Sequence, residues 1–214
     1  MSQHSSSAPL PPATEARPER WDGIVKALHW SIALVILLVV PAGYVMRATY
    51  GPSFSNRDVL ALHDLASQVH HTLGYLVLLA ALVWLVRRWW RPRPAWQSDT
   101  PKAQRLLAAS VHAGLLALLV IVPWSGWTAL SALADSAQFG PTRLWLFGFD
   151  DLVPRIWPAL PFDDPTGYRR FASIHRWALW AGLALVTLHV VSALWHHGVR
   201  RDGVLRRFWP LGQR

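Results

Sequence analysis

The chain has 214 residues, of which 52% are hydrophobic, 12% are aromatic and only 15% are charged. Soluble domains carry roughly 25% charged residues, so this composition favours a membrane protein. The chain has no cysteine, which excludes disulfides, iron–sulfur clusters, thiolate catalysis and covalent c-type haem attached through a CxxCH motif. Any bound metal must therefore use histidine or oxygen ligands.

The first 20 residues differ from the rest of the chain. They are rich in serine, proline and alanine and contain no apolar run, so they cannot bury enough surface to offset the entropy lost on ordering. We predict a disordered tail over residues 1–20. A cleaved signal peptide is not expected, because the first apolar block is about as long as a full membrane span and no clean small-residue cleavage site follows it.

Four apolar blocks follow, each close to the roughly 20 residues that cross a bilayer as a helix. Their approximate bounds are 27–46, 69–86, 106–130 and 171–195. Because an open strand cannot satisfy its backbone polar groups in lipid, we predict four transmembrane helices. The predicted fold class is all-α, an integral membrane four-helix bundle formed by residues 21–210. Pro41 and Pro123 lie inside spans and are expected to kink these helices without ending them.

Residues 131–170 form the longest segment between two spans. Five prolines punctuate aromatic residues there, and Trp and Phe are at home at the membrane interface. We expect an outer loop that lies along the membrane surface.

The net charge of +9 and the pI near 11.2 would also suit a nucleic-acid-binding protein, so the placement of the charges has to decide. With both termini in the cytoplasm, the inner segments hold 14 of the 21 Lys and Arg residues but only 5 of the 12 Asp and Glu residues. This is the positive-inside pattern of a membrane protein. It favours lipid over nucleic acid as the partner of the basic residues.

Histidine is the polar residue that stands out in the spans. Six of the ten histidines fall within or at the ends of predicted spans: His29, His70, His71, His112, His175 and His189. No Asp or Glu lies well inside a span, which argues against a carboxylate-based proton relay or cation-coupled transporter. The chemistry inside the membrane is therefore predicted to be that of imidazole.

Helix direction assigns a depth to each of four histidines. His29 opens the outward-running first helix near the inner face, whereas His70 opens the inward-running second helix near the outer face. On the fourth helix, which also runs inward, His175 lies near the outer face and His189 lies toward the inner face. The 14 residues that separate the last two span about 21 Å and nearly four whole turns, so both imidazoles project from one helix face.

This arrangement suits two stacked haems with bis-histidine ligation, one between His70 and His175 and one between His29 and His189. A single histidine at a helix end is more often an interfacial or hydrogen-bonding residue than a ligand, but four at matching depths reverse that expectation. Small residues occur where a macrocycle could approach a helix backbone: Gly43, Gly74 and Gly182.

Four of the other histidines are expected to have different roles. His71 points roughly 100° away from its neighbour on the helix and is predicted to be a non-ligand. His112 has no partner of matching depth and is expected to contact a haem propionate or a quinone, with a structural hydrogen bond as an equal alternative. His196 and His197 are expected to form a solvated basic helix end, with an inner site for a quinone or redox partner as the alternative.

Stretches of all four helices match a known family: RWDGIVKALHW, HHTLGYLVLL, HAGLLALLVIVPWSGW and IHRWALWAGLALVTLHVVSALWHH, followed by RRDGVLRRFWP. Over residues 20–210 the sequence resembles the bacterial cytochrome b561 family, a relative of the cytochrome b subunits of hydrogenases and formate dehydrogenases. The family's HKSLG pattern reads HHTLG here. This departure leaves open a swap between His70 and His71 as the ligand.

The resemblance implies a four-helix bundle with two haem b groups held by iron-ligating His29, His70, His175 and His189. It also implies electron transport in a respiratory chain, with ubiquinone as a partner. At least one family member resembles a superoxide oxidase, so a superoxide:ubiquinone oxidoreductase is one alternative. A haem-free protein whose histidines line a metal or proton path is the other.

Four basic residues lie where they could meet the propionates of such haems. Arg176 and Arg47 lie near the outer end, where they are candidate partners for propionates or for an anion such as superoxide. Lys26 and Arg200 are the inner equivalents. The long outer loop leaves the electron donor open.

Overall fold

A computed structural model describes residues 21–90, 100–132, 165–202, 204, 205 and 208. Within these residues the chain forms four long helices: α1 (Gly23–Ser53), α2 (Arg57–Trp90), α3 (Lys102–Ser131) and α4 (Pro165–Trp195). A π-helical turn, His196–Arg200, extends α4. The predicted tail at 1–20 and residues 133–164 of the predicted outer loop lie outside the described residues.

All four helices are long and apolar enough to cross a membrane, and each contains the span predicted for it. The predicted all-α bundle is therefore confirmed, and the protein is a multi-pass membrane protein. The helices are longer than the apolar blocks because they continue into polar sequence at both membrane surfaces. Helix α1 runs through Pro41 and α3 runs through Pro123, so neither proline ends its helix, as predicted.

Short polar caps start the first two helices. The side chain of Asp22 accepts a hydrogen bond from the backbone N–H of Val25 at 2.8 Å, which caps α1. Asn56 accepts from the N–H of Asp58 at 2.9 Å and so caps α2, and only three residues separate α2 from the end of α1. Helices α1 and α2 are therefore an antiparallel hairpin with a tight connection.

Helix α1 packs along α2 and α3 packs along α4, while the contact between α2 and α3 is smaller. Small side chains are buried where the helices meet: Ala66, Ala81, Ser125 and Ala129. Large apolar side chains such as Leu37 and Trp89 are instead 71% and 88% exposed, as expected for surfaces that face lipid. We call the end of the bundle that holds Gly23 the terminal end, and the end that holds the α1–α2 connection the loop end.

Candidate functional site

A cavity of about 2870 Å³ runs between the four helices. Its lining extends from Asp22 at the terminal end to Tyr50 at the loop end. Pockets for one small ligand measure roughly 300–1,000 Å³, so this cavity has room for more than one large group. All of the predicted site residues line it: His29, His70, His112, His175, His189 and Arg176.

The first pair of histidines, which we call the loop pair, is His70 on α2 and His175 on α4. Their ring centroids are 6.1 Å apart and their planes are at 85°. His70 Nδ1 lies 2.9 Å from the Val39 carbonyl oxygen, and His175 Nδ1 lies 2.7 Å from the Val122 carbonyl oxygen. A carbonyl only accepts, so each Nδ1 carries the proton and each Nε2 keeps a lone pair for a metal.

The second pair, the terminal pair, is His29 on α1 and His189 on α4. Their ring centroids are also 6.1 Å apart, with the planes at 54°. The His112 ring of α3 lies 5.2 Å from that of His189, so this pair has a third imidazole beside it. The Nδ1 atom of His29 is buried without a hydrogen-bond partner among the described residues.

Both pairs fit the axial ligation of a haem iron. Two imidazoles that bind one metal from opposite sides have ring centroids roughly 6 Å apart, because a histidine nitrogen lies about 2 Å from the metal it binds. Across the described ranges, no three or more His, Asp or Glu side chains converge on one metal position. The loop pair and the terminal pair each offer the two imidazoles that a b-type haem uses.

The other two histidines of α2, His71 and His63, do not face His175 in the way that His70 does. The His71 ring lies 5.9 Å from the His70 ring, and its buried Nδ1 has no hydrogen-bond partner in the described part of the chain. His63 is a structural histidine, since its Nδ1 lies 3.0 Å from the Met46 carbonyl oxygen of α1. The ring of α2 that lies 6.1 Å from His175 is that of His70.

The three glycines at which a close approach to the helix backbone is predicted differ in their surroundings. A Cβ atom on Gly43 would lie 2.7 Å from Cε1 of His70, whereas one on Gly74 would have nothing within 4 Å. A Cβ on Gly182 would make only an ordinary contact, at 3.9 Å from Leu118. Gly126, which the sequence analysis did not single out, would bring a Cβ to 2.9 Å from Nδ1 of His175.

An aromatic side chain that the sequence does not predict as part of the site, Phe208, lies beside His29 of the terminal pair. The Phe208 ring lies 5.1 Å from the His29 ring and 5.2 Å from the Trp21 ring. The indole N–H of Trp30 donates to the Phe208 carbonyl oxygen at 2.9 Å. The chain turns after α4 at Arg201, which has a left-handed φ of 51°, and so Phe208 comes to lie beside the start of α1.

A polar network joins α3 to the end of α4. Arg200 donates to Oε1 of Gln104 at 2.7 Å, which orients the amide so that its Nε2 donates to Nε2 of His196 at 3.0 Å. The Nδ1–H of His196 then donates to Asp202. His196 is therefore held between Gln104 and Asp202, whereas His197 is exposed.

The carboxylate of Asp202 makes this network sensitive to acid. Partial desolvation acts to raise the pKa of Asp202, but the hydrogen bond from His196 and the nearby Arg200 outweigh it and hold the pKa below its usual value. A lowered folded-state pKa adds stability above the unfolded-state pKa, and this stability is lost as the pH falls through the folded-state pKa. We expect Asp202→Asn to lower the melting temperature at pH 7 by a few degrees or less and to lower it by less at pH 3. Equal losses at both pH values would contradict this.

Comparison with known proteins identifies the family of this bundle. The profile of the prokaryotic cytochrome b561 family matches residues 20–211. Cytochrome b561 homolog 2 of Escherichia coli (strain K12) is 25% identical over 191 residues, which cover 89% of this chain and 91% of the relative. The chain belongs to the prokaryotic cytochrome b561 family and is a membrane-bound, haem-binding b-type cytochrome of electron transport.

Proposed function

We propose that this protein holds two b-type haems and passes single electrons to or from ubiquinone in the bacterial inner membrane. The proposal rests on the loop pair and the terminal pair of histidines. In each pair the two ring centroids are 6.1 Å apart, and the two pairs line one cavity at different levels. Fourteen residues separate His175 from His189 on α4, about 21 Å along the helix. This rise gives one redox centre near each membrane surface.

The role of the chain is to hold and orient these groups. Bound haem supplies reversible one-electron chemistry, and the protein tunes it through axial ligands, hydrogen bonds and burial. The two imidazoles at each level would hold a haem iron and leave it no position for oxygen. The protein thereby favours electron transfer over oxygen activation at the metal.

The terminal end is the proposed quinone end. Reduction of a quinone consumes protons as well as electrons, so its site needs polar groups that connect to water. Three polar residues line the cavity there: Gln104, His112 and His196. The hydrogen bond from His196 to Asp202 extends this polar path toward the surface. Because Arg87 and Arg88 end α2 at the same side, the positive-inside rule places this end in the cytoplasm. Both termini are then cytoplasmic.

The loop end supports a second candidate function, superoxide:ubiquinone oxidoreductase. Three exposed arginines line the cavity there: Arg47, Arg169 and Arg176. Their charge outweighs that of Asp64 on the same lining, and a cleft of one sign concentrates small ions of the opposite sign. An anionic electron donor fits this end better than a neutral or cationic one.

The proposal is tested on the purified full-length protein. We expect two haem b per chain, sharp α and β bands in the reduced-minus-oxidised spectrum, and reduction of the haems by a short-chain ubiquinol. One haem per chain, or no reaction with ubiquinol or ubiquinone, would contradict it. Rapid mixing with superoxide distinguishes the two candidates, because haem reduction near the diffusion limit would favour the oxidoreductase and no reduction would favour the plain electron carrier.

A further inference from the structure

The two histidines of the loop pair are held by the neighbouring helices in the same way. Each imidazole on α2 or α4 donates its Nδ1–H to a carbonyl of α1 or α3, and a glycine follows that carbonyl by four residues, or about one turn. The first seat consists of Val39 and Gly43 and holds His70; the second consists of Val122 and Gly126 and holds His175. We refer to these two carbonyl–glycine combinations as the seats.

The glycines allow the imidazoles to come this close. A Cβ on Gly43 would lie 2.7 Å and 2.8 Å from Cε1 and Nδ1 of His70, and one on Gly126 would lie 2.9 Å and 3.0 Å from Nδ1 and Cε1 of His175. Favourable contacts between such atoms lie at about 3.5–4.0 Å. In both seats the neighbour is an imidazole that is already hydrogen-bonded, so a methyl group would push the ring off its carbonyl.

The terminal pair differs at this point. His29 has a buried Nδ1 with no hydrogen-bond partner in the described ranges, and the nearby rings are those of Trp30, Trp84, His189 and Phe208. A ligand imidazole that donates its second N–H to a carbonyl becomes more basic and keeps a fixed tautomer and orientation. The two levels of the cavity therefore hold their ligands differently.

We propose that Gly43 and Gly126 are positioning residues which, through the Val39 and Val122 carbonyls, fix the loop-pair ligands and lower the midpoint potential of the haem held there. This inference rests on the proposed two-haem function. The more basic imidazole favours the oxidised, more positive iron, so loss of the hydrogen bond shifts the potential upward. The two carbonyls come from α1 and α3, and they hold the rings of α2 and α4 nearly perpendicular to each other, at 85°.

The experiment isolates the loop-end haem in a His189→Ala background and adds Gly43→Ala, Gly126→Ala or, as the control, Gly51→Ala. Gly51 also lies in α1, but a Cβ there would have nothing within 4 Å. We expect each seat variant to bind haem about 10–100-fold more weakly, the range for loss of a ligand's outer partner, and to raise the midpoint potential of the haem that remains. The control should match its parent in both measurements.

Affinity and potential equal to those of the parent in both seat variants would overturn the inference. A His189→Ala protein that holds no haem would instead contradict the two-haem function. If a seat variant does not accumulate, electron paramagnetic resonance of the oxidised His189→Ala protein still decides. Perpendicular imidazoles give a strongly anisotropic low-spin signal, which would support the proposal that the seats fix the two rings. Near-parallel rings give a rhombic signal, which would overturn it.

Discussion

Replacing His175 by alanine is expected to reduce the haem content of the purified protein from two per chain to one, and His189→Ala is expected to do the same at the other level. Each substitution removes one imidazole of a pair. The ring centroids of the two imidazoles are 6.1 Å apart in both the loop pair and the terminal pair. The remaining imidazole, His70 or His29, cannot clamp the iron from both sides. The measurement is haem per chain by the pyridine haemochrome assay.

The two variants should differ in which haem they keep. His189→Ala retains the haem of the loop pair, whose ligands donate to the Val39 and Val122 carbonyls, and His175→Ala retains the haem of the terminal pair. A redox titration that resolves two potentials in the parent should therefore resolve one in each variant, and a different one in each. His197→Ala is the matched control, since His197 is an exposed histidine close to His189 on the same helical segment. Two haems in either ligand variant would refute the assignment.

The pairing of the histidines could be predicted from sequence because it depends only on helix geometry. A helix rises a fixed distance per residue, so the position of a histidine within an apolar block gives its depth. The two histidines on one face of α4 lie at two depths, and each has one histidine at the same depth on α1 or α2. The structure brings together these same pairs, His29 with His189 and His70 with His175.

The surroundings of each imidazole could not be predicted in the same way. The carbonyl of Val39 or Val122 is available to a ring only at one rotation of its helix, and that rotation follows from the packing of small side chains such as Ser125, not from hydropathy. Gly126 lies within a stretch that carried the family resemblance, but nothing in the sequence distinguishes it from Gly74. Only the distance to an imidazole does so.

The position of Phe208 depends on a local backbone feature with no sequence signal. Arg201 adopts a left-handed conformation, which is usually found at glycine or asparagine. The His196–Asp202 contact holds the adjacent turn, and this contact links residues on two sides of the helix end. The sequence therefore predicts only a basic terminus here, whereas the structure places the Phe208 ring 5.1 Å from that of His29, a candidate haem ligand.

Phe208→Ala is expected to lower the midpoint potential of the terminal-end haem and to weaken its binding by about 10-fold, the lower end of the range for outer-shell residues. The Phe208 ring lies 5.1 Å from the His29 ring and lines the cavity at this end, so we expect it to limit the access of water to the haem held there. Without the ring, water stabilises the more highly charged oxidised haem, and the potential falls.

The measurement uses a His175→Ala background, in which only the terminal-end haem remains. Phe54→Ala is the control, because Phe54 is an aromatic residue at the loop end that is 70% exposed. Trp30→Phe should reproduce part of the effect, since it keeps the aromatic bulk but removes the N–H that donates to the Phe208 carbonyl oxygen. An unchanged potential in Phe208→Ala would show that the ring does not control solvent access. A fall in Phe208→Ala with none in Trp30→Phe would mean that the ring shields His29 without help from that hydrogen bond.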